Sequence, residues 1–132
     1  AFLAHGMQGN RIISLDDSEV QVHVMSKKSA ALVTMRTVEE LDEFAKSVPS
    51  MAYDVHSFKT LGALYELIDG INADKPSNEQ VQKVIHSITS AKEDIIQSGD
   101  RTLANRIQST IAVENGRKAS IAVRGKITQQ WN

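Results

Sequence analysis

The chain has 132 residues and a formal net charge of −1 at pH 7, a length that fits one compact domain. It contains no cysteine, which excludes disulfides, thiolate nucleophiles, thiolate zinc sites and iron–sulfur ligation. No apolar run is long enough to span a bilayer. We therefore expect a soluble protein that is not secreted and resides in the cytoplasm or in a particle assembled there.

The first third of the chain shows the alternation that is typical of half-buried strands. After a flexible arm over residues 1–10, the segment EVQVHVM places valine at every second position, with Gln21 and His23 between, as side chains on opposite faces of a strand require. The segments RIISL and AALVTM on either side have similar β-branched character. We predict an antiparallel three-stranded meander over residues 11–35.

Helices are predicted in the middle of the chain. A capping box, in which a hydroxyl and a side chain three residues later satisfy each other's backbone donors, has its spacing at Thr37 and again at Ser77. The first helix ends before Pro49 and the second at Gly99. Between them, apolar residues at three- and four-residue spacing predict another helix over about residues 53–71.

Residues 107–123 allow two interpretations. Leu103, Ile107 and Ile111 fit a helix to about Glu114, followed by a strand near residues 119–124. Alternatively, the Asn-Gly pair at 115–116 forms the turn of a hairpin between two strands. We favour the helix followed by the strand.

These elements predict one α+β domain over residues 1–132. Its N-terminal antiparallel three-stranded meander packs against three to four helices over residues 37–115. The basic C-terminal segment over residues 116–132 supplies the additional strand that would join the sheet.

Positive charge is concentrated near the C-terminal end. Residues 1–100 carry nine basic and fifteen acidic side chains, whereas residues 101–132 carry six basic and one acidic. Such a group would attract nucleic-acid phosphates or an acidic partner surface if it formed one face, and a terminal tryptophan could anchor the contact. The candidate binding residues are Arg101, Arg106, Arg117, Lys118, Arg124, Lys126 and Trp131.

Residues 53–57 are the one place where a carboxylate, an imidazole and hydroxyls lie close in sequence. Asp54 could orient His56, which could activate a hydroxyl or bind a cation. However, residues two apart on a helix do not face each other, and the chain has no paired-histidine zinc motif. We predict no catalytic residue, no metal and no cofactor. A small hydrolase or metal-dependent enzyme around Asp54 and His56 remains an alternative.

The missing catalytic motifs and the division of charge together favour a non-enzymatic function. We predict a homo-oligomeric assembly or interaction protein, such as a phage, virion or other complex component. A nucleic-acid-binding accessory protein that uses the basic C-terminal third is a further alternative. The expected partners are further copies of the chain and, in the alternative, RNA or DNA, with no membrane contact.

Overall fold

The structure is a computed structural model that describes residues 5–22 and 25–131, without the side chains of residues 104 and 105. Within these ranges the chain is mostly helical, with six α-helices and one two-stranded parallel sheet. The elements in chain order are β1 (Ile13–Leu15), α1 (Lys27–Thr34), α2 (Val38–Ser47), α3 (Val55–Thr60), β2 (Glu66–Ile68), α4 (Asn78–Ser98), α5 (Ala104–Ile107) and α6 (Lys118–Trp131). Short 3₁₀ turns lie at Gly6–Gln8 and Pro49–Met51, and a π-helical turn lies at Ala112–Gly116.

The predicted α+β fold with an antiparallel meander over residues 11–35 is wrong. β1 pairs with β2 in parallel, with Ile13 opposite Glu66 and Leu15 opposite Ile68. A parallel pair requires a crossover connection between its strands, and here the crossover contains α1, α2 and α3. The first strand therefore finds its partner far along the chain and not in the adjacent segment.

The expected third strand of the meander is the helix α1. Ser26 caps its first turn, where the Ser26 hydroxyl accepts a hydrogen bond from the backbone N–H of Ser29. Met35 ends the helix in the left-handed conformation at φ 51°. The serine cap and the run of lysine, alanine and leucine favour a helix, and this local preference outweighs the β-branched residues that suggested a strand.

The alternating segment around residue 21 correctly marks a buried position but not a strand of a meander. Val22 is buried, and its N–H donates to the carbonyl of Tyr53 at 2.9 Å. Gln21 forms an isolated antiparallel bridge with Asp54. His23, which was expected on the polar face of this strand, lies outside the described residues with its neighbour Val24.

Both predicted capping boxes are confirmed. At Thr37 and at Ser77, the hydroxyl accepts from the backbone N–H three residues later while the side chain there accepts from the capping residue's own N–H. α2 ends at Ser47, shortly before Pro49, and α4 ends at Ser98, with Gly99 as its C-cap at φ 63°. These ends agree with the predicted ones because capping is a local property of the sequence.

The single helix predicted over residues 53–71 is wrong. α3 ends at Thr60, and the chain then turns through Gly62, which has φ +70°, into β2. Tyr65 donates its N–H to the carbonyl of Ile12 at 2.7 Å. The apolar residues of the second half of the predicted helix include those of β2, of which only Ile68 is fully buried.

Neither interpretation of residues 107–123 is correct. The predicted strand near residues 119–124 lies within α6, and Asn115 and Gly116 lie in the π-helical turn. Gly116 packs so closely against the end of α3 that an added Cβ would lie 2.5 Å from Leu61 Cδ2 and 2.9 Å from the carbonyl oxygen of Thr60. The glycine therefore permits close packing and does not form a hairpin turn.

The buried core lies beneath α3 and the loop that follows it. Val22, Val55, Phe58, Ala63 and Leu64 form one hydrophobic cluster. Burial of such side chains is the main favourable contribution to folding. The core thus fixes the N-terminal end of α3, where a group of ionisable side chains is found.

The long helix α4 packs beside the sheet through polar contacts. The buried Ser87 donates its hydroxyl proton to the Glu66 carboxylate on β2. Arg11, next to β1, pairs with Asp94 at 2.6 Å, and the Arg11 side chain is almost fully covered. α4 is therefore tied to both strands.

Candidate functional site

A polar groove of about 670 Å³ lies where the loop after β1, α2 and the N-terminal end of α3 meet. Its charged lining includes Asp16, Lys27, Asp42, Asp54 and His56. Clefts that gather several ionisable groups are common ligand or active sites. This groove is therefore the best candidate for chemistry in the described part of the chain.

The imidazole in the groove is paired with a carboxylate that the sequence analysis missed. His56 Nε2 lies 2.8 Å from Asp16 Oδ1, and the His56 side chain is 64% exposed. The predicted partner Asp54 instead accepts hydrogen bonds from the N–H and the hydroxyl of Ser57, each at 2.8 Å. Asp54 thus caps α3 and does not orient His56.

The carboxylates of the groove do not converge on a metal position. In the described ranges, no group of three or more histidine, aspartate or glutamate side chains is placed to hold a metal ion. Lys27 is paired with Asp42 at 2.6 Å and also lies 5.5 Å from the ring centre of Tyr53. The pairing of Asp16 with His56 could not be predicted from the sequence, because it depends on how the loop after β1 packs against α3.

The cap at Asp54 gives a testable dependence of stability on pH. Partial burial raises the pKa of Asp54, but the backbone and hydroxyl hydrogen bonds from Ser57 lower it more, so the net pKa is below its ordinary value. The ionised cap therefore stabilises the fold at pH values above the unfolded-state pKa of about 4, and this contribution is lost as the pH falls through the folded-state pKa.

We expect Asp54→Ala to lower the free energy of unfolding by about 1 kcal/mol at pH 7, the usual loss for an N-cap. The difference in the free energy of unfolding between the variant and the wild type should become smaller as the pH falls towards 3. Urea denaturation at several pH values measures this difference. Asp74→Ala, at an exposed position outside any helix, is the control and should change little at either pH. A loss that is the same at pH 7 and pH 3 would contradict the assignment.

Two of the predicted C-terminal binding residues donate hydrogen bonds to backbone carbonyls elsewhere in the fold. Arg106 is only 5% exposed, and its Nη1 and Nη2 donate to the carbonyls of Ala63 at 3.0 Å and Met7 at 2.6 Å. Arg117 Nε donates to the carbonyl of Leu61 at 2.6 Å. Both guanidinium groups therefore bind the loop after α3; Arg106 is buried, whereas Arg117 is partly exposed.

Burial makes Arg106 an unusual cation. Desolvation, together with the nearby charges of Arg117 and Arg11, lowers the pKa of Arg106. Among the described residues, its buried Nε has no hydrogen-bond partner. Arginine suits such a position because it stays charged when buried and presents several donors in a fixed geometry.

The other predicted binding residues are exposed. Arg101 lies before α5, while Lys118, Arg124, Lys126 and Trp131 lie on α6. α6 has no buried residue and no acidic residue, and Trp131 is 84% exposed. The structure therefore brings four of the seven residues onto one helix without placing that helix against a core.

Large apolar side chains are exposed on three helices. They include Leu32 and Val33 on α1, Ile88 and Ile96 on α4, and Val123 on α6. The accessible surface is 9383 Å², whereas a compact monomer of this size exposes about 6,900 Å². Exposed apolar faces of this extent are typical of surfaces that another polypeptide segment covers. The fold thus presents apolar faces that further polypeptide, of the same protein or of another, would cover.

Comparison with known proteins gives the family. The chain matches the family described as MdcE, malonate decarboxylase gamma subunit, over residues 1–131. The chain belongs to this family. None of the helices in the described ranges is long and apolar enough to cross a membrane.

Solved structures support the same family. A chain of a Pseudomonas malonate decarboxylase hetero-tetramer in complex with coenzyme A is 40% identical over 99% of this chain, with a TM-score of 0.84. A chain of the Pseudomonas MdcD–MdcE hetero-dimer is 39% identical over 99% of this chain, with a TM-score of 0.76. This chain covers 48% and 46% of those two chains, so it spans about half their length.

A more distant relative is the malonyl-S-ACP:biotin-protein carboxyltransferase MADD of Malonomonas rubra. It is 37% identical over 73 residues, which are 54% of this chain and 25% of that protein. The similarity therefore extends to a protein that is named as a carboxyltransferase.

The family corrects the functional predictions. The expected non-enzymatic assembly protein of a phage, virion or similar particle is wrong, because the chain belongs to a family of enzyme-complex subunits. The alternatives of a nucleic-acid-binding accessory protein and of a hydrolase or metal-dependent enzyme around Asp54 and His56 are wrong for the same reason. The predicted partners, further copies of the chain or RNA or DNA, are also wrong, since the similar solved structures are hetero-oligomers.

Proposed function

We propose that this chain acts as part of a gamma subunit in a malonate decarboxylase complex and supports the decarboxylation of malonate by assembling with an MdcD-type subunit. The observation that carries the proposal is the family match over residues 1–131. The 40% identity to a chain of a malonate decarboxylase hetero-tetramer, over 99% of this chain, supports it.

The surface of the molecule supports an assembly role. The exposed area exceeds that of a compact monomer by about 2,500 Å², which is in the range that stable hetero-complex interfaces bury. Large apolar side chains are part of this exposed surface, such as Leu32, which is 81% exposed on α1. In a complete complex, such faces are covered.

The polar groove supports a structural role for its own residues. Asp16 pairs with His56, Lys27 pairs with Asp42, and Asp54 caps α3. Because these groups form ion pairs with one another or cap a helix, we assign them a structural role in the subunit. We do not assign to them the breaking of the carbon–carbon bond in malonate.

The test uses the full-length protein that contains this chain and the MdcD-type subunit of the same organism. Gel filtration with light scattering should show a hetero-dimer, and malonate-dependent CO₂ release by the complete complex should require the subunit that contains this chain. If the two subunits stay apart at micromolar concentration, or if CO₂ release is the same without this subunit, the proposal is wrong. A cytoplasmic location is part of the proposal and is supported by the metabolic role of the family.

A further inference from the structure

We propose that Asn115 is a site of spontaneous deamidation, that the folded subunit blocks the reaction, and that Asn115 reacts only when the π-helical turn at Ala112–Gly116 opens. The isoaspartate that forms then prevents the turn from closing, so that α6 loses its attachment to the end of α3. This modification belongs to the chain itself and does not depend on the proposed function.

The Asn-Gly pair at 115–116 has the chemistry for this reaction. The backbone nitrogen of Gly116 gives up its proton and attacks the side-chain carbonyl carbon of Asn115. The new C–N bond closes a succinimide ring, and the side-chain nitrogen leaves with that proton as ammonia. Water then opens the ring at either carbonyl, which leaves aspartate or isoaspartate. Glycine has no Cβ to hinder the attack, and Asn115 is the only asparagine in the sequence that precedes a glycine.

The folded turn holds the two reacting groups apart. The side-chain Nδ2 of Asn115 donates to the carbonyl of Ile111 at 3.0 Å, and the backbone N–H of Arg117 donates to the carbonyl of Ala112 at 2.9 Å. The attack requires a rotation of the backbone between Asn115 and Gly116, which breaks the backbone hydrogen bond. It also requires a rotation of the side chain, which breaks the other one. The reaction is therefore confined to the open turn.

Close packing against α3 keeps the turn closed. An added Cβ at Gly116 would lie 2.5 Å from Leu61 Cδ2 and 2.9 Å from the carbonyl oxygen of Thr60, so the backbone of Gly116 itself contacts the end of α3. The next residue, Arg117, donates its Nε to the carbonyl of Leu61 at 2.6 Å. Ala112, at the other end of the turn, is fully buried. Opening the turn therefore requires local unfolding of this contact.

The isoaspartate product does not fit the closed turn. In isoaspartate the chain continues through the side-chain carbonyl, which adds one CH₂ group to the backbone before Gly116. Because Leu61 and Thr60 already fill the space beside Gly116, the longer backbone displaces the turn from α3. α6 has no buried residue, and among the described helices and strands it contacts the π-helical turn most. The modified chain therefore no longer holds α6 in a fixed position.

The first test compares the rate of deamidation at residue 115 in the folded and the unfolded protein. The full-length subunit that contains this chain is incubated with and without guanidinium chloride at neutral pH, and peptide mass spectrometry follows the reaction. We expect at least a tenfold slower reaction in the folded subunit, since a tenfold difference corresponds to an opening free energy of only about 1.4 kcal/mol. Equal rates would overturn the proposed block, and no reaction in the unfolded subunit would overturn the site.

A variant tests whether the contact with α3 controls the reaction. Arg117→Ala removes the hydrogen bond to Leu61 and leaves the Asn-Gly pair intact, so it should raise the rate in the folded subunit about tenfold. Lys118→Ala, at an exposed position in the first turn of α6, is the matched control and should change the rate less than about twofold. In guanidinium chloride both variants should react like the wild type. An unchanged rate for folded Arg117→Ala would contradict the control by this contact.

The second test measures the consequence for α6. Ion-exchange chromatography separates the deamidated fraction after long incubation of the folded subunit. Amide hydrogens of α6 should exchange faster in this fraction than in the fresh subunit, while those of α4 exchange at the same rate. Asn115→Asp supplies the negative charge without the longer backbone and should change the exchange of α6 less. Equal exchange of α6 in the deamidated and the fresh subunit would overturn the loss of attachment.

Discussion

Gly62→Ala should lower the free energy of unfolding by about 3 kcal/mol, which combines the cost of a left-handed conformation with that of overpacking. Gly62 has φ +70°, and an added Cβ would lie 2.3 Å from the carbonyl oxygen of Arg106 and 2.8 Å from Ala112 Cβ. The Arg106 carbonyl accepts from the N–H and the hydroxyl of Ser109. It cannot move aside without losing these bonds.

Gly70→Ala separates the two causes of this loss. Gly70 has φ +68°, but nothing lies within 4 Å of an added Cβ. Its substitution should therefore cost only about 1 kcal/mol, from the left-handed conformation alone. Urea denaturation of both variants in the purified gamma subunit measures the difference. Equal losses at Gly62 and Gly70 would show that the close approach to Arg106 does not exist in solution.

Arg106→Ala should also lower the free energy of unfolding by about 3 kcal/mol, as for removal of one partner from a buried charged group. The substitution removes the donors that satisfy the carbonyls of Ala63 and Met7. It also leaves space where the buried alkyl stem packed. Arg106→Met should recover part of the loss because it keeps the stem but not the two hydrogen bonds.

Arg101→Ala is the matched control for charge. Arg101 is exposed, and its backbone carbonyl, which accepts from Asn10, is unaffected by the substitution. We expect a change below about 0.5 kcal/mol. If Arg101→Ala and Arg106→Ala lower the free energy of unfolding equally, the loss would reflect net charge and not the hydrogen bonds from Arg106 to the carbonyls of Ala63 and Met7.

Local signals in the sequence predicted the starts and ends of α2 and α4 accurately. Thr37 and Ser77 form capping boxes because the hydroxyl and its partner lie within one turn. No distant residue can change that geometry. Gly99 likewise ends α4 through its own backbone conformation.

The sheet could not be predicted in the same way. β1 and β2 have only three residues each, too few for a period to be recognised. Their pairing depends on the crossover through three helices. The segment at α1 carries both β-branched residues and a serine cap, and the cap together with the helix-favouring residues outweighs the β-branched ones.

The contacts of the ionisable residues could not be predicted from the sequence either. Asp54 and His56 were noticed because they are adjacent in sequence, yet the carboxylate that bonds His56 is Asp16. Among the basic residues, net charge could not distinguish the buried Arg106 from the exposed Arg124. Which cations face inward is decided by the carbonyls of the loop after α3, and that loop was predicted as helix.

The parallel pairing of β1 with β2 also determines when the sheet can form during folding. Contacts between distant parts of a chain carry a large loop-closure entropy and form late. The helices of the crossover must be compact before Ile13 can lie opposite Glu66. The ladder amides should therefore exchange their hydrogens mainly through global unfolding, while the ends of α6 exchange through local fraying.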